Sequence, residues 1–133
     1  MAMTLWLLDK SAHVRLIAGA PPPDGIDLAE LAICEMSELE WLYSARSAPD
    51  YDGQAASLRE AYRVLTAPAD IFDRVRRLQR DLAHHRGMWH RTPLPDLFIA
   101  ETALYHGAGV LQRDRDYRRI GEVRPALQVR DLG

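Results

Sequence analysis

The sequence predicts an α/β domain, a mainly parallel sheet of about four to five short strands with helices on both faces. Three observations predict it. Short unbroken apolar runs, too brief for helices, read as strands buried on both faces. Between them, apolar residues recur at three- and four-residue spacing, as in amphipathic helices. The two kinds of segment alternate along the chain, which is the pattern of strand–helix–strand units around a parallel sheet.

Residues 4–8 form the first apolar run, which ends at Asp9. Residues 11–18 predict a brief helix, stopped by Gly19 and by a proline-rich loop over 21–25. Residues 31–34 read as the second strand. Met36, Leu39 and Tyr43 then share a helical face, which predicts a helix over 35–46 with Glu38 on its solvated side. A loop is expected over 49–53. Leu58, Tyr62 and Leu65 predict one amphipathic segment, and Ile71, Val75, Leu78 and Leu82 another, separated at Ala67-Pro68. Gly87 offers the second a stop. A turn over 92–95 leads into a helix over 96–106, a third strand over 108–112, a short helix over 115–120 and a last strand over 127–130.

A chain of 133 residues suits a single domain spanning 1–133, large enough to bury one core. With 47% hydrophobic and 27% charged residues, neither disorder nor a fibrous class is favoured. The lone cysteine, Cys34, has no partner for an internal bridge and points to a reducing compartment. No apolar stretch approaches the roughly 20 residues that span a bilayer. The run over 1–8 is too short for a signal peptide and meets Asp9 and Lys10 directly. A cytoplasmic protein without a membrane segment is expected. The formal net charge of −2 does not advertise nucleic-acid binding. The arginines are clustered, however. Arg74, Arg76, Arg77 and Arg80 crowd one segment, followed by Arg86 and Arg91, and Arg113, Arg115, Arg118 and Arg119 crowd another. A near-neutral total can therefore hide a local basic surface.

The positions of the acids carry the functional reading. Asp9 stands at the end of the first strand, and Asp114 follows the third, where open parallel sheets gather their ligands. Asp96 opens a helix on the face of Ile99, Ala100, Ala103 and Gly107, which suits close packing on a sheet. A first-turn acid placed by the helix dipole is the bland alternative. Glu40 lies at the edge of its helix's apolar stripe, where an ionised group needs a cation or an arginine partner. Carboxylates aimed at one place repel, and a cation must offset the repulsion. Hard oxygen donors suit Mg²⁺ or Mn²⁺, not zinc. Such ions can activate water and stabilise both oxygens of a phosphodiester displacement.

Several other residues invite a function. His84 and His85 are adjacent on a helix and diverge by about 100°, so with His90 and Cys34 they give no recognised zinc spacing. The arginines from 74 to 80 read first as a solvated helix face. Arg74 and Arg77, with Arg113 and Arg115, alternatively offer contacts to RNA phosphates or to an acidic partner segment. Trp89, beside Gly87 and His90, is a candidate to stack on an unpaired base.

Four segments then fall into a familiar order. Leu7-Leu8-Asp9-Lys10-Ser11-Ala12 resembles the strand-Asp-x-Ser-Ala opening of PIN domains. Glu40-Trp41-Leu42-Tyr43-Ser44-Ala45-Arg46 resembles that family's Glu-Leu-x-x-Gly-Ala helix, and Pro95-Asp96-Leu97-Phe98-Ile99-Ala100 its Pro-Asp-Leu-x-Ile-Ala segment. Arg113-Asp114-Arg115-Asp116-Tyr117 is similar to its closing Thr-x-Asp-x-Asp-Phe. Size and paired central helices resemble, more narrowly, the VapC toxins of type II toxin–antitoxin modules. The resemblance implies a three-layer, Rossmann-like PIN fold and an Mg²⁺-dependent endoribonuclease. It implies Asp9, Asp96, Glu40, Asp114 and Asp116 as catalytic and metal-binding residues, with Ser11 supporting the site. It also implies a homodimer, inhibition by a VapB-like antitoxin in a larger assembly, and RNA as substrate. Lys10, Ser44 and Gln112 depart from the pattern without removing a carboxylate.

Two readings from other classes compete. A catalytically inactive PIN-like scaffold that binds RNA or protein partners should have lost acids, and this chain keeps a full set. A phosphoacceptor signalling domain needs an acid pair after the first strand and a late lysine, and the only lysine here is Lys10.

Overall fold

Every strand among the described residues is short, and each is paired in parallel, so the sheet depends on helices to cover both faces. The computed structural model describes residues 4–85, 92–113 and 117–132. Expectations at Arg86, Gly87, Trp89, His90, Arg91, Asp114, Arg115 and Asp116 lie outside the described residues.

The chain runs β1 (Trp6–Leu8), α1 (Lys10–Ile17), a 3-10 turn (Leu28–Glu30), β2 (Leu31–Cys34), α2 (Glu35–Leu42) and α3 (Ala48–Ala61). It continues through β3 (Arg63–Leu65), α4 (Ile71–His84), α5 (Leu94–His106), β4 (Gly109–Gln112), α6 (Tyr117–Val123) and β5 (Val129–Asp131). The sheet order is β3-β2-β1-β4-β5, with β1 central. Trp6 stands opposite Leu31 on one side and Gly109 on the other.

Strand alternation divides the core in two. Leu7, Ala32, Cys34 and Val110 pack with Val75, Leu78, Leu97, Ile99, Ala103 and Ile120 on the α4–α5–α6 side. Trp6, Leu8, Leu31, Ile33 and Leu111 pack with Ala12, Leu42 and Leu58 on the other. The result is the expected three-layer α/β sandwich. Among the described residues, no helix is long and apolar enough to cross a membrane.

Local differences from expectation have physical causes. Residues 49–53 are not a loop: Ser47 accepts the Asp50 N–H at 3.1 Å and caps α3, and Pro49 sits in the first turn, where its missing N–H costs nothing. Leu65 does not continue a helical face with Leu58. It belongs to β3, an edge strand of three residues paired with β2, and so short a run carries no period of its own. α2 ends at Leu42, short of 46, and the Ser44 hydroxyl donates to the Trp41 carbonyl at 2.8 Å in the turn that follows. Glu38 is not solvated. It is buried at 8% exposure because Arg59 reaches it from α3 with paired hydrogen bonds of 2.9 and 3.0 Å.

On the α1 side, His13 wedges between α2 and the end of α3. Its ring meets Trp41 edge-on at 4.3 Å between centroids, and its Nδ1 shares a 3.0 Å hydrogen bond with the Tyr62 hydroxyl. Burial pushes the His13 imidazole below its usual 6.5.

Two outcomes follow from this packing. A Cβ built on Gly109 would lie 2.5 Å from Cζ3 of the buried Trp6 indole, so Gly109→Ala should lower stability by about 1–3 kcal/mol in urea unfolding. His13 is protonated in the unfolded chain near pH 6.5 but only at lower pH when folded. Its contribution is therefore complete above that pH and is lost as pH falls below it. A Tm series from pH 8 to 5 should decline on the acid side, and His13→Gln should flatten that decline.

Candidate active site

Asp9 leaves the central strand at its carboxyl end and is 4% exposed. It is the N-cap of α1: its Oδ1 accepts the Ala12 N–H at 2.9 Å and the Ser11 hydroxyl at 2.6 Å. Its own N–H donates to the Leu111 carbonyl of β4 at 3.2 Å. Ser11 Oγ in turn accepts the Arg113 N–H at 3.0 Å. The ends of β1 and β4 are thus joined around one carboxylate whose orientation is fixed.

Glu40 is brought in by α2. That helix starts directly after β2, where the buried Ser37 hydroxyl accepts the Cys34 N–H at 3.0 Å and donates to the Cys34 carbonyl at 3.1 Å. Glu40 follows about one turn later, half-buried. Asp96 is brought in by the first turn of α5, with Pro95 beside it and its N–H donating to the Pro93 carbonyl at 3.1 Å. It too is half-buried, and the neighbouring face of Ile99, Ala100 and Ala103 is fully packed, as its spacing predicted.

The three carboxylates come from three elements and line one cleft of about 510 Å³ with Lys10, Ser11, Val14, Arg15 and Arg113. The wall therefore carries three acids and three bases. The buried Tyr117 ring on α6 reports the same convergence. Its hydroxyl has no hydrogen-bond partner among the described residues, and burial pushes it well above its usual value. The charges of Asp96, Asp9 and Glu40 add to that effect. Tyr117 was legible only as the last residue of the closing motif, where a phenylalanine is usual; that extra hydroxyl was the available signal. Arg15, one helical turn after Ser11 on the same face of α1, was missed as well.

The donor set of this cleft is all oxygen, the chemistry of a hard divalent cation and not of zinc. Among the described residues, no three His, Cys, Asp or Glu side chains already stand close enough together to hold an ion. Asp114 and Asp116 lie outside those residues. Arg113 reaches the cleft, whereas Arg74 and Arg77 line a different hollow. Gln112 points away from the cleft to β5, where its Nε2 donates to Asp131 Oδ1 at 2.7 Å.

Known proteins resemble the chain in sequence and in fold. The PIN domain family model matches residues 6–123. Ribonuclease VapC17 of Mycobacterium tuberculosis is 75% identical over 130 residues, covering 98% of this chain and 97% of that protein. Among solved structures, VapBC-1 from nontypeable Haemophilus influenzae has a TM-score of 0.72 at 18% identity, covering 97% of this chain and 98% of the other. VapBC-5 from Mycobacterium tuberculosis, a member of the VapBC family of toxin-antitoxin systems, has a TM-score of 0.61 at 20% identity, covering 96% and 97%. The ordered motifs, the parallel five-stranded sheet and the carboxylates at its centre have one common explanation: the chain belongs to the PIN-domain family, in the branch that holds the VapC proteins.

Proposed function

We propose that this chain is an Mg²⁺-dependent endoribonuclease and the toxin of a toxin–antitoxin pair. The observation that carries the reading is the meeting of Asp9, Glu40 and Asp96, from three separate elements, on one cleft at the carboxyl ends of the strands. The 75% identity to a protein named as a ribonuclease supports the activity. The VapBC neighbours support a VapB-like antitoxin as partner, and the same reading takes the toxin to be a homodimer within a larger assembly.

In this reading Asp9, Asp96 and Glu40 hold the cation, joined by Asp114 or Asp116. The Ser11 hydroxyl and the Ala12 N–H fix Asp9 Oδ1, so the remaining carboxylate oxygen is presented in one orientation. Bound Mg²⁺ supplies a more acidic water and neutralises charge on the phosphodiester. Lys10 and Arg113, on the same wall, attract the RNA phosphate and keep it against the acids. No side chain need attack phosphorus.

Asp9→Asn isolates the charge, because asparagine caps a helix as well as aspartate does. Asp9→Asn and Asp96→Asn should each lose about 10³-fold or more of Mg²⁺-dependent RNA cleavage while keeping the wild-type circular dichroism spectrum. Retained Mg²⁺-dependent cleavage in either would refute the assignment. Ser11→Ala should weaken Mn²⁺ binding in calorimetric titration by about 10–100-fold. An inactive scaffold would give no Mn²⁺ isotherm even with the wild-type chain.

A further inference from the structure

A second hollow, of about 430 Å³, lies on the α4–α5–α6 side, apart from the carboxylate cleft. Its walls are Arg74, Arg77, Arg80 and Asp81 of α4, Glu101 of α5, and Arg124 just past α6. Four guanidiniums thus face two carboxylates. The carboxylates are already engaged by one arginine. Arg124 Nη1 donates to Asp81 Oδ2 at 2.8 Å, and its Nε lies 3.3 Å from the buried Glu101 Oε2, a charge contact without hydrogen-bond alignment. Arg74 is held by Asp70, outside the hollow, at 2.7 Å. Among the described residues, Arg77 and Arg80 are in no ion pair. Four guanidiniums against Asp81, Glu101 and the neighbouring Asp70 leave the hollow with a surplus of positive charge, the condition for binding an anion.

The shape narrows the class of anion. From Arg74 to Arg80 the helix rises about 9 Å, longer than one phosphate group and suited to successive phosphates of a strand. At the rim, the Arg74 guanidinium lies over the Tyr105 ring, 5.2 Å from its centroid, and Tyr105 is 53% exposed. A basic groove beside an exposed ring is what an unpaired nucleic-acid strand requires: guanidiniums for the backbone and a face for a base. An acidic peptide would use the charges but not the ring. A second copy of the same face would oppose like charges.

We infer that Arg77, Arg80 and Tyr105 form a docking site for single-stranded RNA, distinct from the cleft where cleavage is proposed. This deepens the nuclease reading and rests on it for the identity of the bound strand. Substrate would be held at two places, and the hollow would favour RNAs long enough to reach both.

The test separates binding from cleavage. Fluorescence anisotropy with a single-stranded 20-nucleotide RNA is run in EDTA over a salt series, using the full chain. Arg77→Gln/Arg80→Gln should bind at least about tenfold more weakly, and its slope of log K against log salt should fall by about 1.4, the loss of two phosphate contacts. Tyr105→Ala should weaken binding about tenfold with little change in slope. Both variants should keep the wild-type circular dichroism spectrum. Unchanged RNA affinity in the double variant overturns the proposal, as does a variant that loses affinity for a poly-glutamate peptide but not for RNA. Asp9→Asn, run in parallel, reports on the nuclease reading alone. Lost cleavage there with undiminished RNA binding in the arginine variant would sink the docking site and leave the nuclease standing.

Discussion

The structure depends on how the chain leaves its central strand. Asp9 ends β1 and starts α1 in the same residue, and one oxygen of its side chain accepts both the helix's orphan Ala12 N–H and the Ser11 hydroxyl. Ser11 then receives the Arg113 N–H across the end of β4. A capping interaction worth about 1 kcal/mol for the helix thereby also sets where the second oxygen of the carboxylate is presented. Folding and chemistry use the same residue here, and the low-entropy, buried setting of Asp9 is what makes its geometry reproducible.

The protein handles its buried acids in two ways. Glu38 is satisfied internally by the paired donors of Arg59, and Glu101 lies beneath Arg124, with Arg74 and Arg77 close enough to oppose the effect of its burial. These groups brace α2 against α3 and α5 against α4 and α6. Asp9, Glu40 and Asp96 line an open cleft in company with Lys10, Arg15 and Arg113. The basic wall lowers the mutual repulsion of the acids. The buried Tyr117 ring lies within reach of the same charges, and its hydroxyl has no hydrogen-bond partner among the described residues.

Much of the architecture was legible in the sequence because apolar runs and helical stripes report burial directly. The strand over 31–34 and the stripe Ile71, Val75, Leu78, Leu82 appear as read. β3 was not legible, since three residues at a sheet edge leave no periodic trace. Glu38 misled because its partner, Arg59, is 21 residues away and helical spacing says nothing about a neighbouring helix. For the site, a strand end singled out Asp9 and helical faces singled out Glu40 and Asp96, which line one cleft. The separation of Arg74 and Arg77 from that cleft, and their grouping with Arg124, needed the tertiary packing of three helices.

The two rims of the sheet have a consequence for recognition. β3 and β5, its outermost members, are each three residues long, and Arg63 and Asp131 place opposite charges at the two borders. So little unpaired main chain gives an invading strand few hydrogen bonds to gain and makes fibrillar stacking unfavourable. A macromolecule that associates with this protein therefore gains more from its helices and the side chains they display than from extending its ladder.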